Sequence, residues 1–307
     1  MVMEKHDSSS ISSLCVAVVG VLFPSLYFLS QTHYLLAHAL IELFSVVVAA
    51  SVFMIAWNTR RFLVNGYLLF LGCSFIFVAF LDVLHTLAYK GMGVFHGSTA
   101  NLATQLWIAA RWVQALSLVA APFFLRRRLN VNLMLAVYAS ATALLLMSIF
   151  LWPLFPDCFI EGSGLTPFKR VSEYLISLLM AGSIGLLVRN RGEFDPAVLK
   201  LIISSLAAMI FAELSFTLYS DVYGLFNFLG HCAKIISFFL IYKAMVEVAL
   251  RQPFGLLFRS LKQSEEAAQR ERDRAQTYLN AAGSILLVID RDETVSLINR
   301  KGCAVLG

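Results

Sequence analysis

The chain is divided into apolar blocks of about twenty residues, separated by short polar gaps, and this block length constrains its fold most. A block of that length matches an α-helix that crosses the hydrocarbon core of a bilayer. Hydrophobic residues make up 59% of the 307 residues and charged residues 14%, whereas a soluble domain carries about 25% charged residues. We therefore predict about eight membrane spans, at residues 11–30, 35–57, 65–89, 101–125, 133–152, 171–188, 198–219 and 226–250.

Basic residues alternate between the loops that join these spans. Seven lie after the second, fourth and sixth spans: Arg60, Arg61, Arg126, Arg127, Arg128, Arg189 and Arg191. The intervening loops carry only three: Lys90, Lys169 and Arg170. The positive-inside rule places the Arg-rich loops, and with them both termini, in the cytoplasm. Because the basic residues lie mainly at span ends, the net charge of +5 does not indicate nucleic-acid binding.

A set of polar side chains lies inside the predicted spans. A charged group at mid-bilayer costs about 2.5–3.5 kcal/mol on insertion scales and therefore needs a reason. Span order and the charge rule place the set in one layer, the half of the membrane that faces outside, where it predicts a polar pocket. The candidate ligand-binding or metal-binding residues are His38, Glu42, Asp82, His85, Tyr89, Trp107, Arg111, Glu213, His231 and Lys234.

The residue types in this layer are compatible with several roles. Histidine and carboxylate together can hold zinc or iron, two histidines could ligate a haem, and Arg111 with Lys234 could hold an anion. Alternatively, ion pairs such as Asp82 with Arg111 and Glu213 with Lys234 would only fix helix packing. We favour a site, because buried ion pairs stabilise poorly, and a metal or small ligand over haem, for which histidine spacing alone is weak evidence.

The composition changes abruptly beyond Arg251. Residues 256–280 are rich in Glu, Arg, Gln and Ala, which predicts a solvated helix, and Leu261, Ala268 and Ala275 recur at a spacing of seven. The positions between them are polar, so the heptad seam is weak. The segment is therefore either a single solvated helix or a parallel dimeric signalling helix.

The last residues carry the pattern of a β-hairpin. Residues 284–289 are an apolar run, 290–293 predict a turn, 294–299 alternate between apolar and polar, and 300–307 could begin a helix. This pattern is typical of the start of a mixed α/β domain. Because a two-stranded hairpin is marginal alone, we expect a longer natural product or a truncated end.

Three segments carry a resemblance to a known family. The run 80–92, with its spacing Asp-x-x-His-x-x-x-Tyr-Lys-Gly-Met, is the most specific, and 101–111 and 117–122 follow it. Together they resemble the third type of bacterial membrane-associated sensor domain, in the MASE family, over roughly residues 10–250. The motif match carries over five of the candidate residues: Asp82, His85, Tyr89, Trp107 and Arg111. The other five rest on the depth argument alone.

The resemblance implies an all-α integral membrane bundle of about eight transmembrane helices in the bacterial cytoplasmic (inner) membrane, then a cytoplasmic linker helix and the first strands of an α/β PAS domain. We expect four parts: a cytoplasmic tail (1–10), the sensor domain (11–250), a signalling linker (251–280) and an incomplete PAS domain (281–307). Expected partners are the lipid bilayer, an unknown small ligand or metal, and a second copy of the chain through the linker and PAS segments.

The implied function is a sensory input module of a histidine kinase or a diguanylate cyclase, in two-component or cyclic-di-GMP signalling. The alternatives are a transporter and a membrane enzyme with a His/carboxylate metal site. A transporter needs polar residues at all depths, whereas the inner half is largely apolar. The sequence contains no H-E-x-x-H, phosphate-binding loop, G-x-S-x-G or C-x-x-C motif, so we expect no catalysis by this chain.

Overall fold

The computed structural model describes residues 20–60, 66–95, 99–127, 129–218, 224–282 and 284–306. The predicted tail, 1–10, lies outside these ranges, and the side chains of 247–264, 266–268 and 276 are not described. Contacts divide the chain into two units, Met1–Leu250 and Arg251–Gly307.

The first unit is a bundle of helices. Helix α1 occupies residues 20–32, and the others follow in chain order. These are α2 (Tyr34–Thr59), α3 (Gly66–Leu87), α4 (Ala100–Ala120), α5 (Val131–Phe150), α6 (Pro167–Arg189), α7 (Pro196–Leu218) and α8 (Leu225–Ala281), of which the residues after Leu250 belong to the second unit. A 3-10 helix, Ala121–Phe124, extends α4.

Seven helices in the described ranges are long and apolar enough to cross a membrane: α2 to α7, and Leu225–Val246 of α8. The second to eighth predicted spans coincide with them to within four residues at each end, the largest differences being 171 against Pro167 and 250 against Val246. The first predicted span, 11–30, lies only partly in the described ranges, and α1 is not among the seven. The structure is therefore a multi-pass membrane protein with seven candidate spans.

Helices α3 and α4 form the centre of the bundle. In each of them 72% of the apolar window is buried, against 11% in α5. Helix α3 packs on α2 and α4, and α6 packs on α4 and α7. The α2–α3 contact is close because Gly72 has no side chain: a Cβ there would overlap the Cβ of Ala56. The buried centre thus brings residues of α2, α3 and α4 together.

The loop between α5 and α6 contains a short antiparallel pair, β1 (Phe159–Ile160) with β2 (Gly164–Leu165). The side chain of Asn101, in the first turn of α4, accepts hydrogen bonds from the backbone N–H groups of Cys158 (2.8 Å) and Phe159 (3.0 Å). Burial raises the pKa of the Cys158 thiol to about 12. The loop is therefore fixed to the start of α4.

The second unit contains the predicted hairpin. Strand β3 (Leu287–Ile289) pairs antiparallel with β4 (Val295–Ile298), and α9 (Arg300–Leu306) follows. Asn299 fixes this corner, because its Oδ1 accepts from the N–H groups of Leu286 (3.1 Å) and Gly302 (3.0 Å). The hairpin and helix agree with the sequence prediction, but two strands and one helix do not establish a PAS fold.

Candidate functional site

All ten predicted site residues lie at one end of the bundle, which we call the site end. It contains the starts of α2, α4, α6 and α8 and the ends of α3 and α7. Helix α2 carries His38 and Glu42, and α3 carries Asp82 and His85, with Tyr89 just beyond it. The remaining five, on α4, α7 and α8, are Trp107, Arg111, Glu213, His231 and Lys234. The structure therefore brings all ten to the same end of the bundle.

Four charged side chains form what we call the charged network: Glu42, Asp82, Arg111 and Lys234. Arg111 Nη2 donates to both carboxylate oxygens of Asp82, at 2.6 and 2.7 Å, and Arg111 Nη1 donates to Gln114 Oε1. Lys234 Nζ donates to Glu42 Oε2 at 2.6 Å and lies 3.2 Å from Asp82 Oδ2. All four side chains are fully buried, so each charge depends on its partners.

The pairing agrees only partly with the sequence hypothesis. Asp82 pairs with Arg111 as expected, but Lys234 pairs with Glu42 and Asp82 rather than with Glu213. The Trp107 ring faces both cations, at 4.6 Å from Arg111 Cζ and 4.6 Å from Lys234 Nζ. A buried indole at this distance stabilises cations that water cannot reach.

Three histidines form a second group, the histidine cluster: His38, His85 and His231. The ring centre of His38 lies 5.5 Å from that of His85 and 4.9 Å from that of His231. His231 Nδ1 lies 3.2 Å from Glu42 Oε1, so the cluster adjoins the charged network. His85 Nδ1 is 2.7 Å from the backbone oxygen of Ala103.

The contact with Ala103 determines where His85 carries its proton. A carbonyl oxygen only accepts, so Nδ1 must be the donor and Nε2 of the neutral ring keeps a free lone pair. That Nε2 is buried and has no hydrogen-bond partner among the described groups, and the same holds for Nε2 of His38. Unpaired buried nitrogens are uncommon and call for an explanation.

Two polar residues of this end, Tyr34 and Asn227, were not among the predicted site residues. The hydroxyl groups of Tyr34 and Tyr89 are 3.1 Å apart, and Asn227 Nδ2 donates to the Tyr34 hydroxyl. The ring of Tyr89 lies 3.9 Å from that of His38. Both residues are near helix starts, where aromatic and amide side chains are common, so no sequence signal distinguishes them.

The span assignment placed Lys169 in a loop, but the structure places it in α6. Helix α6 already begins at Pro167, because the Thr166 side chain caps it by accepting from the Lys169 N–H group. Lys169 Nζ donates to Phe216 O at 2.6 Å and lies 2.5 Å from Glu173 Oε1. The spacing of four between Lys169 and Glu173 is a signal that could have found this buried pair.

Glu213 lies near this pair. It is fully buried on α7, within electrostatic range of Glu173, Lys169, Arg111 and Lys234. Neither of its carboxylate oxygens has a hydrogen-bond partner among the described groups. Glu213 therefore lies near both the charged network and the Lys169–Glu173 pair, and it has no hydrogen bond to either.

A cavity of about 50 Å³ lies beside the histidine cluster. A single water needs about 10–15 Å³ of such space, so the cavity has room for an ion with water or for a ligand of a few atoms. Its lining residues are His38, His85, Tyr89, Lys90, Ala100, Ala103, Thr104, Trp107, Lys169, Phe216, Asn227 and His231. The cavity is therefore bordered by imidazole, phenol, amide and ammonium groups at the site end.

Comparison with known proteins identifies the bundle. Residues 29–253 match the family model of MASE3, described as a membrane-associated sensor domain. No curated protein and no solved structure matches the chain. The matched range covers most of the chain and includes all ten candidate residues. The chain therefore belongs to the MASE3 family of membrane-associated sensor domains.

Proposed function

We propose that this chain is the input module of a bacterial signalling protein and that it detects a small ligand or ion at the site end. The observation that carries the proposal is that α8 supplies both His231 and Lys234 to the site, while the same helix includes the linker residues 251–280. A change in the partners of these two side chains acts directly on the helix that leads to the second unit.

Differential binding supplies the physical basis. A ligand shifts a conformational equilibrium only as far as its affinity differs between two arrangements. Lys234 is shared between Glu42 on α2 and Asp82 on α3, so a ligand that engages Glu42 changes the forces on α8. The signal in this proposal is the redistribution of the Lys234 contacts.

The proposed orientation places the site end outside the cytoplasm. The positive-inside rule supports it, because the Arg-rich segments at 126–128 and 189–191 follow the ends of α4 and α6 that are opposite to the site. The linker then enters the cytoplasm of a bacterial cell, below the inner membrane. A ligand would reach the cavity from the outer face, past Lys90.

In this proposal the catalytic output comes from other domains and not from the residues of this chain. We assign residues 281–307 to the start of a PAS domain, residues 251–280 to a dimeric signalling helix, and catalysis to histidine kinase or diguanylate cyclase domains outside this chain. The β3–β4 hairpin and α9 have the element order expected of such a start. A homodimer would form through the linker and PAS segments.

The test compares hydrogen–deuterium exchange of the linker in Lys234→Met and Lys243→Met, with the chain in lipid nanodiscs. Lys243 is the matched control, since it lies on the same helix but is exposed. We expect Lys234→Met to change exchange within residues 265–281 and Lys243→Met to leave it as in the wild type.

A third variant separates relay from local damage to α8. Glu42→Gln alters the same contact from α2, so it should change the same linker peptides as Lys234→Met. If both site variants keep the bundle folded and the linker exchanges as in the wild type, the relay proposal is wrong.

A further inference from the structure

The histidine cluster and Glu42 have the composition of a transition-metal site. His38, Glu42 and His85 each offer one ligand atom, and these three atoms lie within 4.8 Å of one another. Two ligands of one zinc ion lie roughly 3.3 Å apart, since each is about 2.0–2.2 Å from the metal. Side-chain rotations that move these atoms by about 1 Å would close the set around an ion.

The ring nitrogen Nε2 of His85 is already prepared to bind a metal. The bond from His85 Nδ1 to Ala103 O fixes the tautomer that leaves Nε2 free, which is the arrangement that holds histidine ligands in metalloproteins. Nε2 of His38 is also unpaired, and both rings are at least nine-tenths buried. Because both rings line the cavity, an ion there would satisfy both nitrogens.

A fourth ligand position is available on α8. The His231 ring also lines the cavity, 4.9 Å from the His38 ring. Its Nδ1 lies 3.2 Å from Glu42 Oε1, the oxygen that Lys234 does not use. Three imidazoles with one carboxylate would complete the four-coordinate shell that zinc prefers.

We propose that His38, Glu42 and His85, with His231 as a further ligand, bind a divalent transition-metal ion, with Zn²⁺ as the representative. Imidazole and carboxylate suit Zn²⁺ and Fe²⁺, whereas Mg²⁺ and Ca²⁺ take oxygen ligands and Cu⁺ takes thiolate or thioether. A role for the ion as the detected signal rests on the proposed function. In that role the ion competes with Lys234 for Glu42.

The test uses the whole chain in mild detergent, stripped with a chelator and then titrated with Zn²⁺. Bound metal is counted by mass spectrometry in the wild type, in His38→Gln/His85→Gln and in His33→Gln. His33 is the matched control, because it is an exposed histidine five residues before His38. We expect one Zn²⁺ per chain in the wild type and the control, and at least tenfold weaker binding in the double variant. No stoichiometric binding, or equal binding by the double variant, overturns the inference.

Co²⁺ gives a readout on the wild type that needs no variant. Absorption typical of four-coordinate cobalt with nitrogen and oxygen ligands supports the site, and the spectrum of hydrated cobalt refutes it. Linker exchange in the same samples separates this inference from the proposed function. If the metal binds without changing the exchange of residues 265–281, the metal site is retained and its signalling role is wrong. If Lys234→Met changes that exchange but no metal binds, the relay is retained and the metal site is wrong.

Discussion

The charged network and the histidine cluster touch through Glu42, yet they differ in how their polar atoms are satisfied. In the network, the Arg111 guanidinium binds both Asp82 oxygens, and Lys234 has a carboxylate oxygen at 2.6 Å. In the cluster, Nε2 of His38 and Nε2 of His85 have no partner among the described atoms. The charged side chains are paired with one another, although Arg111 Nε and Glu42 Oε1 have no hydrogen-bond partner among the described groups. The histidine rings instead leave unpaired nitrogens beside a cavity.

This difference separates two tasks that a buried polar layer can perform. Removing one partner of a closed pair strands the other charge, so the network should govern stability. Replacing a histidine ring should cost little stability, because the ring nitrogens make few hydrogen bonds in the unliganded chain. The histidine cluster should therefore govern ligand binding. Substitutions in each group test this division.

The largest effect is expected for Arg111→Ala. It leaves the Asp82 carboxylate facing only Lys234 and should lower the free energy of unfolding by about 3–5 kcal/mol. Arg126→Ala is the control: its side chain is 79% exposed although it pairs with Glu193, and its loss should cost no more than about 1 kcal/mol. Denaturant titrations in detergent measure both. Equal losses would show that burial does not distinguish these pairs.

A double substitution tests whether Asp82 and Arg111 are energetically coupled. Arg111→Met alone strands Asp82, whereas Asp82→Asn combined with Arg111→Met removes both charges and leaves Lys234 with Glu42. The double variant should be more stable than the sum of the single effects predicts, with a coupling of about 1–3 kcal/mol. If the losses of unfolding free energy are additive in the thermodynamic cycle, the two side chains are not coupled.

The histidine cluster should give a smaller loss. His85→Gln removes the bond to Ala103 O, which is worth about 0.5–1.5 kcal/mol, in metal-free protein. Added Zn²⁺ at a hundredfold excess over its dissociation constant should stabilise the wild type by about 2.7 kcal/mol and the variant far less. Thermal unfolding with and without Zn²⁺ measures both effects. A loss as large as that of Arg111→Ala would place His85 in the stability group.

The smallest effect concerns an exposed ion pair at the same end, Lys90 with Glu161. The hydrogen bond from Lys90 lowers the pKa of the Glu161 carboxyl. The pair therefore stabilises the folded state above the unfolded pKa of about 4.3, and the contribution is lost as the pH falls through the lowered folded value. The stability difference between the wild type and Glu161→Gln should disappear in acid. A difference that is independent of pH would exclude this pair as its cause.

The spans and the site layer could be predicted from sequence because both depend on order along the chain. Block length locates a helix, and loop charges alternate with its direction, so the depths of Glu42, Asp82 and Arg111 follow without coordinates. Seven of the eight predicted spans correspond to helices in the described residues. The first, 11–30, overlaps α1 (20–32), which is not among the described helices long enough to cross a membrane.

Partner choice could not be predicted, because it depends on helix rotation and crossing. The sequence does not say whether Lys234 points to Glu213 or to Glu42, and both arrangements satisfy the same depths. The Lys169 error had a different origin. A hydropathy boundary at 171 ignored the Thr166–Pro167 capping signal, which starts α6 four residues earlier.

The contact between Lys234 and Glu42 also has a consequence for biogenesis. Asp82 meets Arg111 after only 29 further residues have been made, but Glu42 meets Lys234 after 192. At about 5–20 residues per second, the Glu42 carboxylate spends about 10–40 s of translation without this partner. Helix α8 therefore supplies the cation that pairs with the carboxylate of α2. A nascent chain halted before α8 would present an unmatched acidic group to the insertion and quality-control machinery of the membrane.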